Sequence, residues 1–364
     1  MVHGPRTAAS SCPDARSELE RSRLMIRLAI VGCGAVARQY HLPALAQVTN
    51  VEVVALCDLN RQKAERLRRQ FRMAAEVTEK LDVLAGRVDA AVVAVSPVQH
   101  APVSIRLLEM GIDVCCEKPL ATSSAEAERM IEAAMRHRRH LAVAQWCRFL
   151  PNLPLLRKLS LDGFVGRVHE ITAEFGGPLD WPMESPAYFS RNSTAGGVFF
   201  DTGIHMLDAL LWLFGDLSDI EYADDSLGGL EANAELRGSV MVSGTKVPVR
   251  LSFSWTDVRR NGLRVRGDAG SAFASPSTPE VVVLRRMGIG ESLEMHVYRR
   301  GWNPAATTAD AFRDQLKDFA EAVAERREPF VPATAAIHAL RVIERAYAVR
   351  QPLRQPWVSP GLAP

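Results

Sequence analysis

The hydrophobic positions keep one rhythm over the first part of the chain and another over the rest. Met25–Val31 (M-I-R-L-A-I-V) has six apolar residues in seven, and Val51–Cys57 is a second such run. Further runs follow at Val88–Val95, Ile112–Glu117 and Leu141–Trp146. Runs this apolar suit strands buried on both faces of a parallel sheet. Between them, helical spacing predicts helices over Arg61–Arg72, near His100–Met110 and over Ser124–Arg138, with a short segment at Leu81–Leu84. Strands alternating with helices over this length predict a doubly wound parallel sheet.

Around Arg148–Pro154 the pattern changes, and a second domain is expected from residue 148 to 364, after a first spanning 25–147. Leu153–Leu161 reads as a short helix and Arg167–Glu174 as an alternating strand. A long loop, Gly176–Gly197, precedes a helix at Gly203–Phe214; loops of that length usually carry a function. Strand-like segments follow at Ala232–Met241, Val247–Trp255, Leu263–Asp268, Glu280–Arg286 and Ser292–Tyr298. They predict an open, mainly antiparallel sheet in an α+β domain. Two helices, Ala309–Arg326 and Thr334–Arg350, come last.

Composition narrows the classes. With 47% hydrophobic and 24% charged residues, the chain is an ordinary globular one. Its 44 basic and 42 acidic residues leave a net charge of +2, not the basic field that nucleic acid or an anionic membrane requires. Apolar stretches such as Ala90–Val95 and Ala209–Phe214 are too short to span a bilayer. Residues 1–24 are polar and lack an apolar core, so they read as a disordered extension and not as a secretory signal. The six cysteines, Cys12, Cys33, Cys57, Cys115, Cys116 and Cys147, form no C-x-x-C pair. Five belong in or beside buried strands, which fits reduced core thiols in a cytoplasmic protein with neither disulfides nor zinc.

Candidate chemistry begins directly after the first strand. Gly32, Gly34 and Ala37 fill the small-residue places of a G-x-G-x-x-G/A turn. The first permits the tight turn, the second lets a pyrophosphate approach, and the third lets the next helix pack on the strand. That helix would start near Ala35 and aim its N–H groups, with those of Val36 and Ala37, at phosphates. Asp58 ends the second strand 21 residues after Ala37, where a carboxylate holds a ribose 2′-hydroxyl. Its other reading is an N-cap for the helix at Arg61–Phe71. Asp58 would repel a 2′-phosphate, so NAD is expected over NADP, although Arg61 could approach a phosphate. Leu59, Ser96, Pro97, His100, Glu117, Lys118 and Arg148 complete the expected cofactor contacts.

Three further places could act on a substrate. Lys118 in Glu117-Lys118-Pro119 follows a strand, and ligands of open α/β sheets bind outside the carboxyl ends of strands. It is either a donor to a substrate oxygen or a surface lysine; a cis Lys118–Pro119 bond is an open alternative. Asp201 and His205 are four apart, so on one face of a helix starting near Asp201, and Asp208 is three further on. Histidine suits proton removal from a hydroxyl near neutral pH; the competing reading is a capping Asp201 and a packed His205. No third ligand at zinc-site spacing accompanies them. Loop residues Trp181, Tyr188, Arg191 and Asn192 could line a sugar site or merely order the loop. Arg148 is a candidate substrate contact too.

These motifs together resemble the glucose–fructose oxidoreductase and inositol dehydrogenase family (Gfo/Idh/MocA), from Met25 to about Arg350. The resemblance rests on Gly32-Cys33-Gly34-Ala35-Val36-Ala37, His41-Leu42-Pro43, Gly111, Glu117-Lys118-Pro119-Leu120 and Gly163–Gly166. It continues through Gly196-Gly197-Val198, Asp201-Thr202-Gly203-Ile204-His205, Asp208 and Gln315-x-x-Asp318-Phe319. Cys115-Cys116 departs from the single cysteine more usual before that glutamate. The resemblance implies a Rossmann domain, then an α/β domain whose open sheet serves as a subunit interface, hence a homodimer or homotetramer. It also implies that Lys118, Asp201 and His205 meet over the nicotinamide. His205 would be the base for a secondary alcohol, Lys118 would orient and polarise its oxygen, and Asp201 would position Lys118 or a neighbouring hydroxyl. The implied activity is NAD-dependent hydride transfer to or from a sugar, cyclitol or sugar-containing molecule. An NAD-dependent glycoside hydrolase acting by transient oxidation is an alternative; a non-catalytic NAD-binding sensor is another.

Overall fold

The computed structural model describes residues 25–180, 182, 194–227, 229–286, 288, 292–296 and 308–353. Six parallel strands form the first sheet: β1 (Ile26–Val31), β2 (Val51–Cys57), β3 (Glu76–Thr78), β4 (Ala90–Val93), β5 (Asp113–Cys116) and β6 (Leu141–Val143), in the order β3-β2-β1-β4-β5-β6. Every residue of β4 and β5 is buried; β4 is wholly apolar, and Asp113, which opens β5, is paired with Arg326 and accepts from His140 N. The order reverses direction between β1 and β4, the switch point where such sheets bind ligands.

The first crossover begins helical at Ala35 as expected, but it is not a regular α-helix. A π-helical turn, Ala37–His41, precedes α1 (Leu42–Leu45). The other crossovers of this half are α2 (Arg61–Gln70), α3 (Pro97–Glu109) and α4 (Ser124–His137). Asn60 caps α2, accepting from the N–H groups of Gln62 and Lys63, so the capping reading of Asp58 is wrong. The Lys118–Pro119 peptide is cis.

The second half carries α5 (Asn152–Leu161), β7 (Val168–Gly176), a π-helical turn at Phe199–Gly203 and α6 (Ile204–Phe214). Its strands continue as β8 (Ser218–Asp224), β9 (Asn233–Val242), β10 (Thr245–Ser254), β11 (Gly262–Gly267), β12 (Gly270–Ala274), β13 (Val281–Arg286) and β14 (Ser292–His296). The last elements are α7 (Thr308–Glu325), α8 (Ala333–Ala348) and β15 (Arg350–Pro352). Nine strands pair as β14-β13-β12-β11-β7-β10-β9-β8-β15, antiparallel except at β7–β10 and β8–β15. The fold is therefore a Rossmann sheet plus a mixed, mainly antiparallel open sheet.

The last two helices return to the first half. Phe312 of α7 stacks on Tyr40 and Trp146, with ring centres 4.6 and 5.9 Å apart. Glu344 of α8 accepts from the N–H and hydroxyl of Ser124, and Arg341 pairs with Glu128, both at α4. These contacts tie the end of the chain to the first half.

Candidate active site

The glycine turn has the shape that a pyrophosphate needs. Gly32 adopts φ +96°, and a Cβ there would lie 2.4 Å from the carbonyl oxygen of Ala94, so only glycine fits between β1 and β4. At Gly34 a Cβ would meet nothing within 4 Å, leaving open space over the turn. Gly34, Ala35 and Val36 are partly exposed, whereas Ala37 is buried under the crossover helix. Asp58 Oδ2 accepts from Cys33 N at 2.7 Å and Oδ1 from Asn60 N at 2.7 Å, which fixes the carboxylate beside the turn. Arg61 donates to the Val77 carbonyl at 3.3 Å and reaches Glu65. Leu59 stands exposed next to Asp58. Burial, then the Asp58 charge, pushes the Cys33 thiol up to about 12, so it is no nucleophile.

From β5 the chain delivers Glu117 and Lys118. Glu117 is buried, and its Oε1 lies 2.7 Å from Nε2 of His41, the last residue of the first π-helical turn. Its Oε2 accepts from Lys118 N at 3.0 Å. Burial alone would raise the Glu117 carboxyl, but His41 and Lys118 outweigh it and hold the group below its ordinary value. Lys118 Nζ donates to both the backbone oxygen and Oδ1 of Asp201, each at 2.8 Å. The Lys118 and Asp201 side chains stay 17% and 27% exposed, open to a substrate. The other Asp201 oxygen accepts from Thr202 Oγ1 at 3.4 Å, and Thr202 in turn accepts from Trp255 Nε1 at 2.8 Å.

Asp201 lies within the second π-helical turn, and His205 is the second residue of α6. The π-helical form of this segment was not expected; such turns recur at functional sites. His205 is buried between Trp146 and Phe175, with ring centres 5.5 and 6.3 Å away. Its Nδ1 faces Gln145 Oε1 at 3.3 Å, so Nδ1 donates there and Nε2 is left as the basic nitrogen. Burial first, then the Lys118 charge, holds His205 well below 6.5, against a smaller opposing pull from Asp201. The imidazole is therefore neutral at neutral pH.

Two residues expected at the cofactor are bonded to protein groups. His100 is buried in α3, with Nδ1 2.7 Å from the Pro119 carbonyl and Nε2 3.1 Å from that of Val95, so it ties the Lys118 loop to the β4 loop. Arg148 is buried and locked to Asp208 by two 2.7 Å bonds. Its guanidinium is occupied, and Asp208 serves Arg148, not His205. Ser96 is exposed at the start of α3, with Pro97 beside it. Trp181, Tyr188, Arg191 and Asn192 lie outside the described residues.

Residues 26–145 match the oxidoreductase-family, NAD-binding Rossmann domain of Gfo/Idh/MocA, and residues 155–273 match the Gfo/Idh/MocA C-terminal domain. The chain belongs to the Gfo/Idh/MocA oxidoreductase family. It is similar to the rhizopine catabolism protein MocA of Rhizobium meliloti, 26% identical with 88% of this chain and 93% of the relative covered. It is also similar to a dTDP-3,4-didehydro-2,6-dideoxy-alpha-D-glucose 3-reductase of Saccharopolyspora spinosa, at 27% over 75% of this chain and 83% of that one. In fold it resembles KijD10, a 3-ketoreductase from Actinomadura kijaniata solved with NADP and TDP-benzene (TM-score 0.77, 21% identity, covering 91% and 100% of the two chains).

As a Gfo/Idh/MocA oxidoreductase, the protein has an NAD(P)-binding Rossmann domain, and no helix among the described residues is long and apolar enough to cross a membrane. Gln145 was missed in the sequence, where it reads as the polar end of a strand. The only available signal was an amide just beyond an apolar run, at the carboxyl edge of a parallel sheet.

Proposed function

We propose that this chain is an NAD-dependent dehydrogenase that interconverts a secondary alcohol and a ketone on a sugar, cyclitol or sugar-containing molecule. The observation that carries it is the meeting of Lys118 and Asp201 beside a neutral His205, between the glycine turn and the second sheet. Residues 25–147 hold the dinucleotide, and residues 148–364 receive the substrate. Gly34, Ala35 and Val36 face the phosphates, Asp58 and Leu59 the adenosine end, and Ser96–Pro97 and Glu117–Lys118 the nicotinamide end. A bound nicotinamide supplies the acceptor or donor of hydride.

The chain's own residues handle the oxygen and its proton. Neutral His205 takes the hydroxyl proton at Nε2, while Gln145 holds its Nδ1–H. Lys118, oriented by Asp201, donates to the same oxygen and stabilises the charge that develops there. His100 and Glu117 keep the Lys118 loop in place. Arg148 acts from behind, through Asp208, by fixing α6. The aromatic walls Trp146 and Phe175 exclude water from His205. Sugar and nucleotide-sugar activities in the relatives' names support a carbohydrate-like substrate.

Preference for NAD rests on Asp58, whose anchored charge opposes a 2′-phosphate, while Arg61 is engaged with Val77 and Glu65. A cytoplasmic setting agrees with the five buried thiols, and self-association through the open sheet belongs to the same reading. The test is nicotinamide absorbance with NAD⁺ or NADP⁺ and a panel of cyclitols, free sugars, nucleotide sugars and aminoglycosides. Turnover abolished by both Lys118→Ala and His205→Ala is the expected result. Sugar release without net reduction would point to a glycoside hydrolase. A wild-type preference for NADP⁺ would refute the role given to Asp58.

A further inference from the structure

The segment bearing Asp201 and His205 begins on a residue distant in sequence. Gly197 N donates to Glu231 Oε1 at 2.9 Å, and Val198 N donates to the Glu231 backbone oxygen at 2.9 Å. Asp201 N then donates to Gly197 O at 2.9 Å, which links Glu231 to Asp201 through two bonds. The first N–H groups of a helix have no partners within it, and a local Ser, Thr, Asp or Asn usually serves them. Val198, at the N-cap here, makes no such side-chain bond. Glu231, from the loop between β8 and β9, takes the two N–H groups just ahead of the first helical turn, that of Gly197 with its side chain and that of Val198 with its backbone oxygen.

Glu231 is itself held firmly. It is 1% exposed, and its Oε1 also accepts from the Tyr347 hydroxyl at 2.6 Å. Arg350 lies 4.0 Å from its other oxygen and forms an ion pair with Asp224 at 2.8 Å. A Cβ at Gly197 would stand 2.1 Å from the Glu231 backbone oxygen, so glycine is what permits the approach. Burial raises the Glu231 carboxyl, and the Tyr347 bond opposes that rise.

The geometry points to Glu231, held by Tyr347, as a positioning residue that sets Asp201 and His205 for the chemistry proposed above, on which this role depends. Glu231 acts through its bonds to Gly197 and Val198. A displacement at the start of this segment moves both the Asp201 oxygens that hold Lys118 and the imidazole one turn on. Misplacement by about 1 Å is enough to cost as much as a hundredfold in rate.

Four proteins test this: wild type, Glu231→Ala, Glu231→Gln and Tyr347→Phe. The readouts are the NMR titration of the His205 imidazole without cofactor, NADH affinity by fluorescence, melting temperature, and kcat and KM on a panel substrate. In Glu231→Ala the His205 titration should move up toward 6.5 as water enters, and kcat should fall about tenfold or more. NADH affinity should stay unchanged, because the glycine turn and Asp58 belong to the other sheet. Glu231→Gln, whose amide oxygen accepts the same bonds, should restore most of the rate, and Tyr347→Phe should shift both quantities less than Glu231→Ala. Native titration and native kcat in Glu231→Ala would overturn the role. So would equal losses in the Ala and Gln proteins with melting temperature and NADH affinity falling in step, since that marks a structural part only. If wild type turned over no panel member, the dehydrogenase reading would fail, while the titration would still decide Glu231.

Discussion

Glu117 and Lys118 are consecutive residues, yet each is fastened to a different π-helical turn. Glu117 meets His41 at the end of the first, and Lys118 meets Asp201 within the second. The strand end that presents the lysine is therefore braced from both halves of the molecule, and the Lys118 ammonium is placed before any substrate arrives.

Removing the first brace should cost stability. Glu117→Gln replaces the carboxylate facing the fully buried His41 with an uncharged acceptor, and losing a hydrogen bond to a charged group costs about 1.5–3 kcal/mol. Since the folded Glu117 carboxyl lies below 4.5, its contribution is present above that pH and is lost as pH falls through the depressed value. Urea unfolding from pH 3 to 7 should show a shallower acid-side decline in the variant.

The ionisation of His205 has the opposite origin but a related sign. Its folded pKa lies below 6.5, so the unfolded chain takes up the proton first, and stability declines as pH falls from 6.5 toward the depressed value. The acid limb of kcat/KM should also lie below 6.5. In Lys118→Met, which removes a charge that depresses the imidazole, the NMR titration of His205 should move upward. No movement would mean that burial alone sets it.

The two glycines of the turn should respond differently. Gly32→Ala collides with the Ala94 carbonyl and should destabilise the fold. Gly34→Ala meets nothing within 4 Å, so its melting temperature should stay native while NAD⁺ affinity falls about tenfold or more, roughly 1.4 kcal/mol. Calorimetric titration checks the second and thermal unfolding the first. Native affinity in Gly34→Ala would move the pyrophosphate away from this turn.

Arg148→Lys should not be a conservative change. Lysine cannot reproduce the paired bonds to Asp208, which would remain buried beside a single point charge. A loss of about 3 kcal/mol in unfolding free energy is expected. NADH affinity should change little if Arg148 contacts no cofactor; a large loss there would restore the direct contact expected from the sequence.

Much of this architecture was legible because its signals are local. The apolar runs ending at Val31, Cys57 and Cys116 became strands, and most helices begin and end within a few residues of the sequence pattern. The strands Glu76–Thr78, Ser218–Asp224, Gly270–Ala274 and Arg350–Pro352 escaped, being short or polar and stabilised by pairing that local pattern does not encode. The spacing of Asp201 and His205 suggested a shared face but not the π-helical turn between them. Arg148, Asp208 and His100 have residue types that look functional, and their partners are set by packing between distant segments. Gln145 and Glu231 had the reverse difficulty, since ordinary residues acquire a role only from what folds against them.

The return of α7 and α8 to the first half gives the chain an order of events during synthesis. A ribosome delivers the six strands of the first sheet well before it delivers Phe312 and Glu344, which cover and anchor that half. Until then the nascent polypeptide carries an unfinished apolar flank around Tyr40 and Trp146, the kind of surface that invites misassembly or chaperone capture. Translation arrested before residue 308 would leave the nucleotide-holding half without its own lining, whatever the second sheet had already achieved.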